Sequence, residues 1–221
     1  MDSPVTLAAG LLDTTRGGAP PAPDALAALA NVDPAGLGPP ARLAFWLNLY
    51  NALVRDGVRG KSGDLRRHRG FSQHTAWTVG GISTSLHVIE HGILRGNRPA
   101  PYTLWRPLAG GDLRRTWCPS FDPRIHFALN CGAVSCPPIR AYRAEAIDDQ
   151  LTLATRSYLG AEVVVAGKLL RLPYLCTLYR RDFPDPRSFV RPFVAPEVGD
   201  WIAAHPHASI TWGAYHWEIV G

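Results

Sequence analysis

Lysine is nearly missing from this chain: Lys61 and Lys168 are the only two among 23 basic residues. The arginine bias is what a GC-rich bacterial genome produces, so the formal charge of +5 is weak evidence for nucleic acid. No apolar run approaches the roughly eighteen residues of a bilayer span, so no transmembrane helix and no membrane partner are expected. Met1-Asp2-Ser3-Pro4 lacks a basic n-region and an apolar h-region, which leaves a cytoplasmic location as the default expectation. Cys118, Cys131, Cys136 and Cys176 are too few for a disulfide scaffold in 221 residues. None forms a CxxC pair, so a structural zinc site is not expected. No internal repeat is visible. The basic stretch from Arg55 through Arg59, Lys61, Arg66, Arg67, His68 and Arg69 has no regularly interleaved aromatics, so nucleic acid is disfavoured. A phosphate or an acidic surface would suit that loop better.

What is present suffices for a folded core. Hydrophobic residues make up 46% of the chain, while 21 glycines and 20 prolines cut it into short elements and loops. Residues 5–16 read as a short helix, and residues 24–30 as a second, capped by Asp24. Together they form an N-terminal arm over residues 1–40 that packs on a domain spanning 41–221. Residues 41–55 give the strongest helix, apolar almost all round and therefore buried. Asn48 and Asn51 lie on its one polar stripe, and a buried amide needs partners. Either they bond to the backbone of a neighbouring loop or they orient a site.

Residues 77–82 read as a strand with a Gly80-Gly81 turn, followed by a helix over 86–95 capped by Ser85 and ended by Gly96. Glu90 falls in the middle of that helix's apolar face. It is either ion-paired, with Arg124 or Arg140, or raised in pKa. The punctuated stretch 97–123 is long enough to line a site. Residues 142–159 suggest an amphipathic helix, and 163–165 with 169–172 a hairpin around Ala166-Gly167. Short helices follow over 173–182 and 186–205. A strand over 210–220 closes the domain, with Trp212, Tyr215 and Trp217 as anchors. The mixed order gives a single α+β domain with a small mixed or antiparallel sheet packed by helices.

Reactive chemistry concentrates in residues 125–138. Residues 125–131 read as a strand with Ile125, Phe127 and Leu129 on one face and Arg124, His126, Ala128 and Asn130 on the other. The leading expectation is a cysteine-dependent hydrolase or acyl transferase acting on a small molecule or peptide without a cofactor. Cys131 is its nucleophile and Cys136 the rival. His126 is the base, oriented by Glu90 or Asn130, and an amide near Gly132 stabilises an oxyanion. On the strand reading, His126 and Cys131 face opposite sides unless the turn swings the thiol round. Asn48, Asn51, Arg95, Arg124 and Arg140 are the candidates for substrate binding. His87, Glu90 and His91 match the H-x-x-E-H pattern, which makes a zinc-dependent hydrolase an alternative. Cys131 and Cys136 could instead be a dithiol pair, although four intervening residues require a tight turn. A non-catalytic interaction or scaffold module with a polar core is the remaining alternative.

Four segments taken together, 44–52, 89–95, 122–132 and 135–138, resemble the domain of unknown function 547 family of bacteria, plants and animals. The likeness spans roughly Arg42 to Asp182, and Leu175 to Phe183 is similar to a later family segment ending in an Asp-Phe pair. The resemblance implies that Asn48, Asn51, Glu90, Arg95, His126, Asn130, Cys131 and Cys136 occupy motif positions. The chain departs from the family pattern at His87, where an acidic residue is usual, and at His216, where Asp usually stands between the Tyr and the Trp.

Overall fold

A computed structural model describes residues 3–219. Its central element is α3 (Pro39–Val58), which starts where Gly38 caps and two prolines preset the first turn. Every residue from Ala44 to Val54 is buried, as a helix apolar on all sides requires. Helix α1 (Pro4–Arg16) packs along α3, and α2 (Pro23–Ala30) follows it. Ala8, Leu11, Leu12 and Leu29 enter the same core as Phe45, Trp46 and Leu49. The boundary expected at residue 40 falls inside α3. Asp24 is not the cap of α2: Ala22 holds that position and Pro23 opens the helix.

A hairpin of β1 (Ala76–Val79) and β2 (Ile82–Ser85) turns at Gly80-Gly81, so the strand expected over 77–82 is two strands. The helix expected over 86–95 is π-helical from Val88 to Leu94. Arg95 N–H reaches Glu90 O at 2.9 Å and Asn97 N–H reaches Gly92 O at 2.8 Å, both five residues back. That widened turn buries Ile89 and Ile93 while leaving Glu90 on a cavity wall.

A second core gathers Phe127, Leu159, Leu170, Leu172, Phe183 and Val190. It is bounded by α5 (Ile147–Glu162), α6 (Tyr174–Leu178), α7 (Pro186–Val190) and α8 (Pro196–Ala204). Its sheet has three strands in the order β3 (Val164–Ala166), β4 (Leu169–Leu172), β5 (Ser209–Trp212). β3 pairs with β4 antiparallel, and β4 with β5 parallel. The strand expected over 210–220 is therefore short. Among the described residues after Trp212 the β-bridges are single ones, Glu218 to Asp64 and Ile219 to Ala133, and Val220 lies outside the described residues. The architecture is α+β.

The strand expected over 125–131 is absent: residues Pro123–Phe127 form a turn of 3-10 helix. Asp122 accepts from Arg124 N–H at 2.9 Å and Pro123 follows at the first helical position. This capping signal wins over a short apolar alternation, which by itself fits either element. The consequence for the site is large. Ile125, Ala128 and Leu129 enter the first core and Phe127 the second, so His126 sits where the two cores meet.

A cysteine pair in a cavity between the two cores

The cysteine loop is held from three sides. Asn51 on α3 donates to Ala128 O at 3.1 Å and accepts from Asn130 N–H at 2.9 Å. Asn130 accepts from Gly132 N–H at 2.7 Å and donates to Pro137 O at 2.8 Å, closing the turn on itself. Gly132 has φ +95°, and a Cβ there would lie 2.8 Å from Val58 Cγ1, so only glycine fits. The C-terminal segment clamps the outside. Val134 N–H donates to Glu218 O at 2.9 Å, and His216 N–H to Ser135 Oγ at 2.8 Å.

Inside this turn the Cys131 and Cys136 sulfurs are 2.7 Å apart. Cys131 N–H donates to Cys136 Sγ at 3.0 Å, and the Tyr215 hydroxyl lies 3.1 Å from the same sulfur. Burial pushes the Cys136 pKa up, but the Cys131 thiol, the Tyr215 hydroxyl and the amides of Ala133 and Cys131 outweigh it and bring it down. Cys131 moves the other way. Its bond to Cys136, and then its burial, raise it well above an ordinary thiol. The donors around the pair therefore favour charge on Cys136 over charge on Cys131. Burial raises the Cys176 thiol to about 12, and Cys118 is raised for the same reason.

Both sulfurs line a cavity of about 430 Å³, with Tyr50, Glu90, His91, His126, Tyr179 and Tyr215 also on its wall. Glu90 has neither Arg124 nor Arg140 as partner. Its oxygens accept from Tyr50 at 2.8 Å and from Tyr179. Burial opposes its charge, yet His91, the two phenols and His126 leave its pKa lowered. With His91 itself depressed to about 4 by burial, the phenols are the partners that hold this carboxylate at neutral pH. Arg124 instead pairs with Asp122 at 2.6 Å and Asp148 at 2.7 Å.

His126 is oriented by Asp182, which the sequence reading missed, and not by Glu90 or Asn130. His126 Nε2 lies 2.9 Å from Asp182 Oδ2. Asp182 also accepts from Arg95 Nε at 2.6 Å and Arg98 at 2.9 Å. Burial raises Asp182, but His126 and Arg95 together drive it far below the usual carboxylate range. An ionised Asp182 is an acceptor only, so Nε2 carries the proton. Burial keeps the imidazole neutral by lowering its pKa, which leaves the lone pair on Nδ1. Tyr179 stacks on the ring at 4.0 Å between centroids, linking His126 to Glu90. No hydrogen bond joins either sulfur to an imidazole among the described residues.

The expected binding residues lie elsewhere. Asn48 spans Tyr142 O and N–H, each at 2.8 Å, and Arg95 is 1% exposed on Asp182. None of Asn48, Asn51, Arg95, Arg124, Arg140 or Asn130 lines the cavity. His87 packs edge-on to His91 at 4.9 Å, and Arg95 holds His91 Nδ1 at 2.9 Å. Among the described residues no three His, Cys, Asp or Glu side chains converge as metal donors. The Gly132 amide is taken by Asn130 and does not face a substrate oxyanion. Tyr50, Tyr179 and Tyr215 were also missed, because only tertiary contact gives them their roles. Asp182 carried a signal: it begins the Asp-Phe pair noted above.

A family model described as "Protein of unknown function, DUF547" matches residues 34–159. No curated protein and no solved structure matches the chain.

Proposed function

The chain belongs to the DUF547 family of unknown function, and from its geometry we propose that it carries out thiol–disulfide exchange with Cys136 as nucleophile and Cys131 as resolving thiol. The observation that carries this reading is the 2.7 Å sulfur pair in a cavity wall, with Cys136 ringed by donors. Cys136 thiolate attacks a substrate disulfide, the substrate S–S bond breaks, and one half leaves as thiolate and takes a proton from water. Cys131 then attacks the Cys136 sulfur and its proton goes to the second departing thiolate. The dithiol loses two electrons and the substrate disulfide gains them.

The test equilibrates the protein in oxidised and reduced dithiothreitol and maps its thiols by mass spectrometry. A Cys131–Cys136 disulfide should form while Cys118 and Cys176 stay reduced. Cys131→Ser should trap a mixed disulfide on Cys136. If Cys131→Ser traps none and the pair resists oxidation, the reading fails.

A second reading is cysteine-dependent acyl transfer or hydrolysis. His126, which lines the same cavity and is held by Asp182, favours it, because that pairing gives a neutral imidazole as base. An acyl-enzyme burst with an activated ester that disappears in both Cys136→Ser and His126→Gln would support it. Disulfide exchange should lose its nucleophile in Cys136→Ser and keep it in His126→Gln.

A further inference from the structure

The basic loop has no part in the chemistry above, yet it forms part of the cavity. Arg66, His68 and Arg69 line it beside Cys131 and Cys136. Arg66 and Arg69 are exposed whereas His126, Leu86 and Leu129 are buried, so the arginines mark the mouth. The C-terminal segment fixes this arrangement. Leu65 N–H donates to Trp217 O at 2.9 Å, and Val134 N–H donates to Glu218 O at 2.9 Å. One strand of backbone therefore ties the basic loop to the cysteine loop.

The charges differ in availability. Arg66 is bonded to Asp64 at 2.5 Å and also feels Glu218, so its charge is largely answered. His68 is bonded to Ser62 O at 3.1 Å. Arg69 makes no side-chain hydrogen bond or ion pair among the described residues. Both oxygens of Glu90, the acid on the cavity wall, are occupied by phenols. Phe71, Tyr102 and Trp217 supply aromatic surface around the opening. A volume of about 430 Å³ suits a small molecule rather than a folded protein segment.

We infer that the substrate is a small anionic disulfide or thiol, with an apolar or aromatic body seated in the cavity and a carboxylate or phosphate met by Arg69 at the mouth. This rests on the thiol–disulfide reading, and the test separates the two.

Reduced protein is mixed with three probes by stopped flow: dianionic 5,5′-dithiobis(2-nitrobenzoate), neutral 4,4′-dithiodipyridine and dicationic cystamine. Each rate constant is divided by that of free cysteine to remove intrinsic reactivity. The corrected order should be anion, neutral, cation. Arg69→Glu, which exchanges an attractive charge for a repulsive one, should lower the anion-to-neutral ratio by roughly tenfold or more. Raised salt should lower it similarly. Arg156→Gln, an exposed arginine on α5 outside the cavity, should leave the ratio unchanged. An unchanged ratio in Arg69→Glu, or a corrected preference for cystamine, overturns the anion assignment while leaving the exchange reading standing. Slow reaction with all three probes, no faster than the unfolded chain, defeats the exchange reading itself. Faster reduction of insulin's disulfides than of any small probe overturns the size argument. Carboxylate and phosphate are distinguished by comparing inhibition by glutarate and by inorganic phosphate.

Discussion

Replacing Tyr215 with Phe removes one donor from the Cys136 sulfur and little else. The hydroxyl is 3.1 Å from Cys136 Sγ and 3.5 Å from Cys131 Sγ. Its ring is wedged against Tyr174 at 5.7 Å and Trp217 at 4.6 Å, contacts a phenylalanine retains. Burial, and next the charge on Cys136, raise the Tyr215 pKa, so the hydroxyl stays a donor throughout any practical assay. A hydrogen bond to a charged group contributes about 1.5–3 kcal/mol. Losing it should cut the thiolate-to-thiol ratio at Cys136 by roughly 10- to 150-fold below the thiol pKa. The rate falls less, because a more basic thiolate is a better nucleophile with a Brønsted coefficient near 0.4–0.5. The net expectation is a roughly 3- to 20-fold slower reaction with neutral 4,4′-dithiodipyridine at one pH below both pKa values. The rate–pH curve should shift to higher pH, and at high pH Tyr215→Phe should overtake the parent. The decisive measurement is that curve, with the modified cysteine identified by peptide mapping. Superimposable curves, or modification moving to Cys118 with Cys136 inert in both proteins, would refute the reasoning.

Three further outcomes follow from the same network. Asp182→Asn leaves Arg95, 1% exposed, without its carboxylate, and should cost about 3–5 kcal/mol in urea unfolding. Less than about 1 kcal/mol would mean that Arg95 finds another partner. Asn51→Ala strands the Ala128 carbonyl and the Asn130 amide, and should cost about 2–4 kcal/mol. It should also slow Cys136 reaction with 4,4′-dithiodipyridine; a destabilised variant with unchanged thiol kinetics would count against the loop argument. Burial lowers His91 from 6.5 to about 4, so between these values the unfolded chain binds a proton that the native chain does not. Stability is therefore present above pH 6.5 and is lost as pH falls toward 4, by up to roughly 3 kcal/mol. His91→Asn, whose Oδ1 can accept from Arg95, should flatten that slope in thermal melts; an identical slope would refute the assignment.

Local signals in the sequence were readable because the physics that sets them is local. The apolar helix around Asn48 and Asn51, the hairpin at Ala166-Gly167 and the stop at Gly96 each follow from a few neighbouring residues. The asparagines bond to the backbone of a neighbouring loop, one of the two roles that buried amides on a helix allow. Residues 125–131 misled because apolar alternation over so short a run also fits a capped turn, and Asp122-Pro123 decides between them. The partners of Glu90 and His126 were not readable at all. Tyr179 lies 89 residues from Glu90, and Asp182 lies 56 from His126. Such pairings are fixed by how two cores abut, and pattern within one segment has no access to that. Cys131 and Cys136 illustrate the intermediate case. Their sequence spacing is unusual for a dithiol, and only the Asn130 and Asn51 bonds that fold the turn bring the sulfurs together.

The amides of the cysteine loop weigh between the two thiol chemistries. Acyl transfer needs donors aimed at the oxygen of a tetrahedral intermediate, and one such donor is worth about 10²–10³ in rate. Cys131 N–H is directed to Cys136 Sγ and Gly132 N–H to Asn130 Oδ1. The Ala133 amide favours the sulfur anions. Val134 and Ser135 donate to Glu218 O and His216 O, and Cys136 donates to Ala133 O. No amide from Cys131 through Cys136 is left for a substrate oxyanion, so acyl transfer would have to draw its donors from outside the loop. Two of these amides, those of Cys131 and Ala133, turn to sulfur instead, which is what a stabilised thiolate needs. The loop is therefore built for charge on sulfur before the substrate arrives, which suits a reaction whose leaving group and nucleophile are both thiolates.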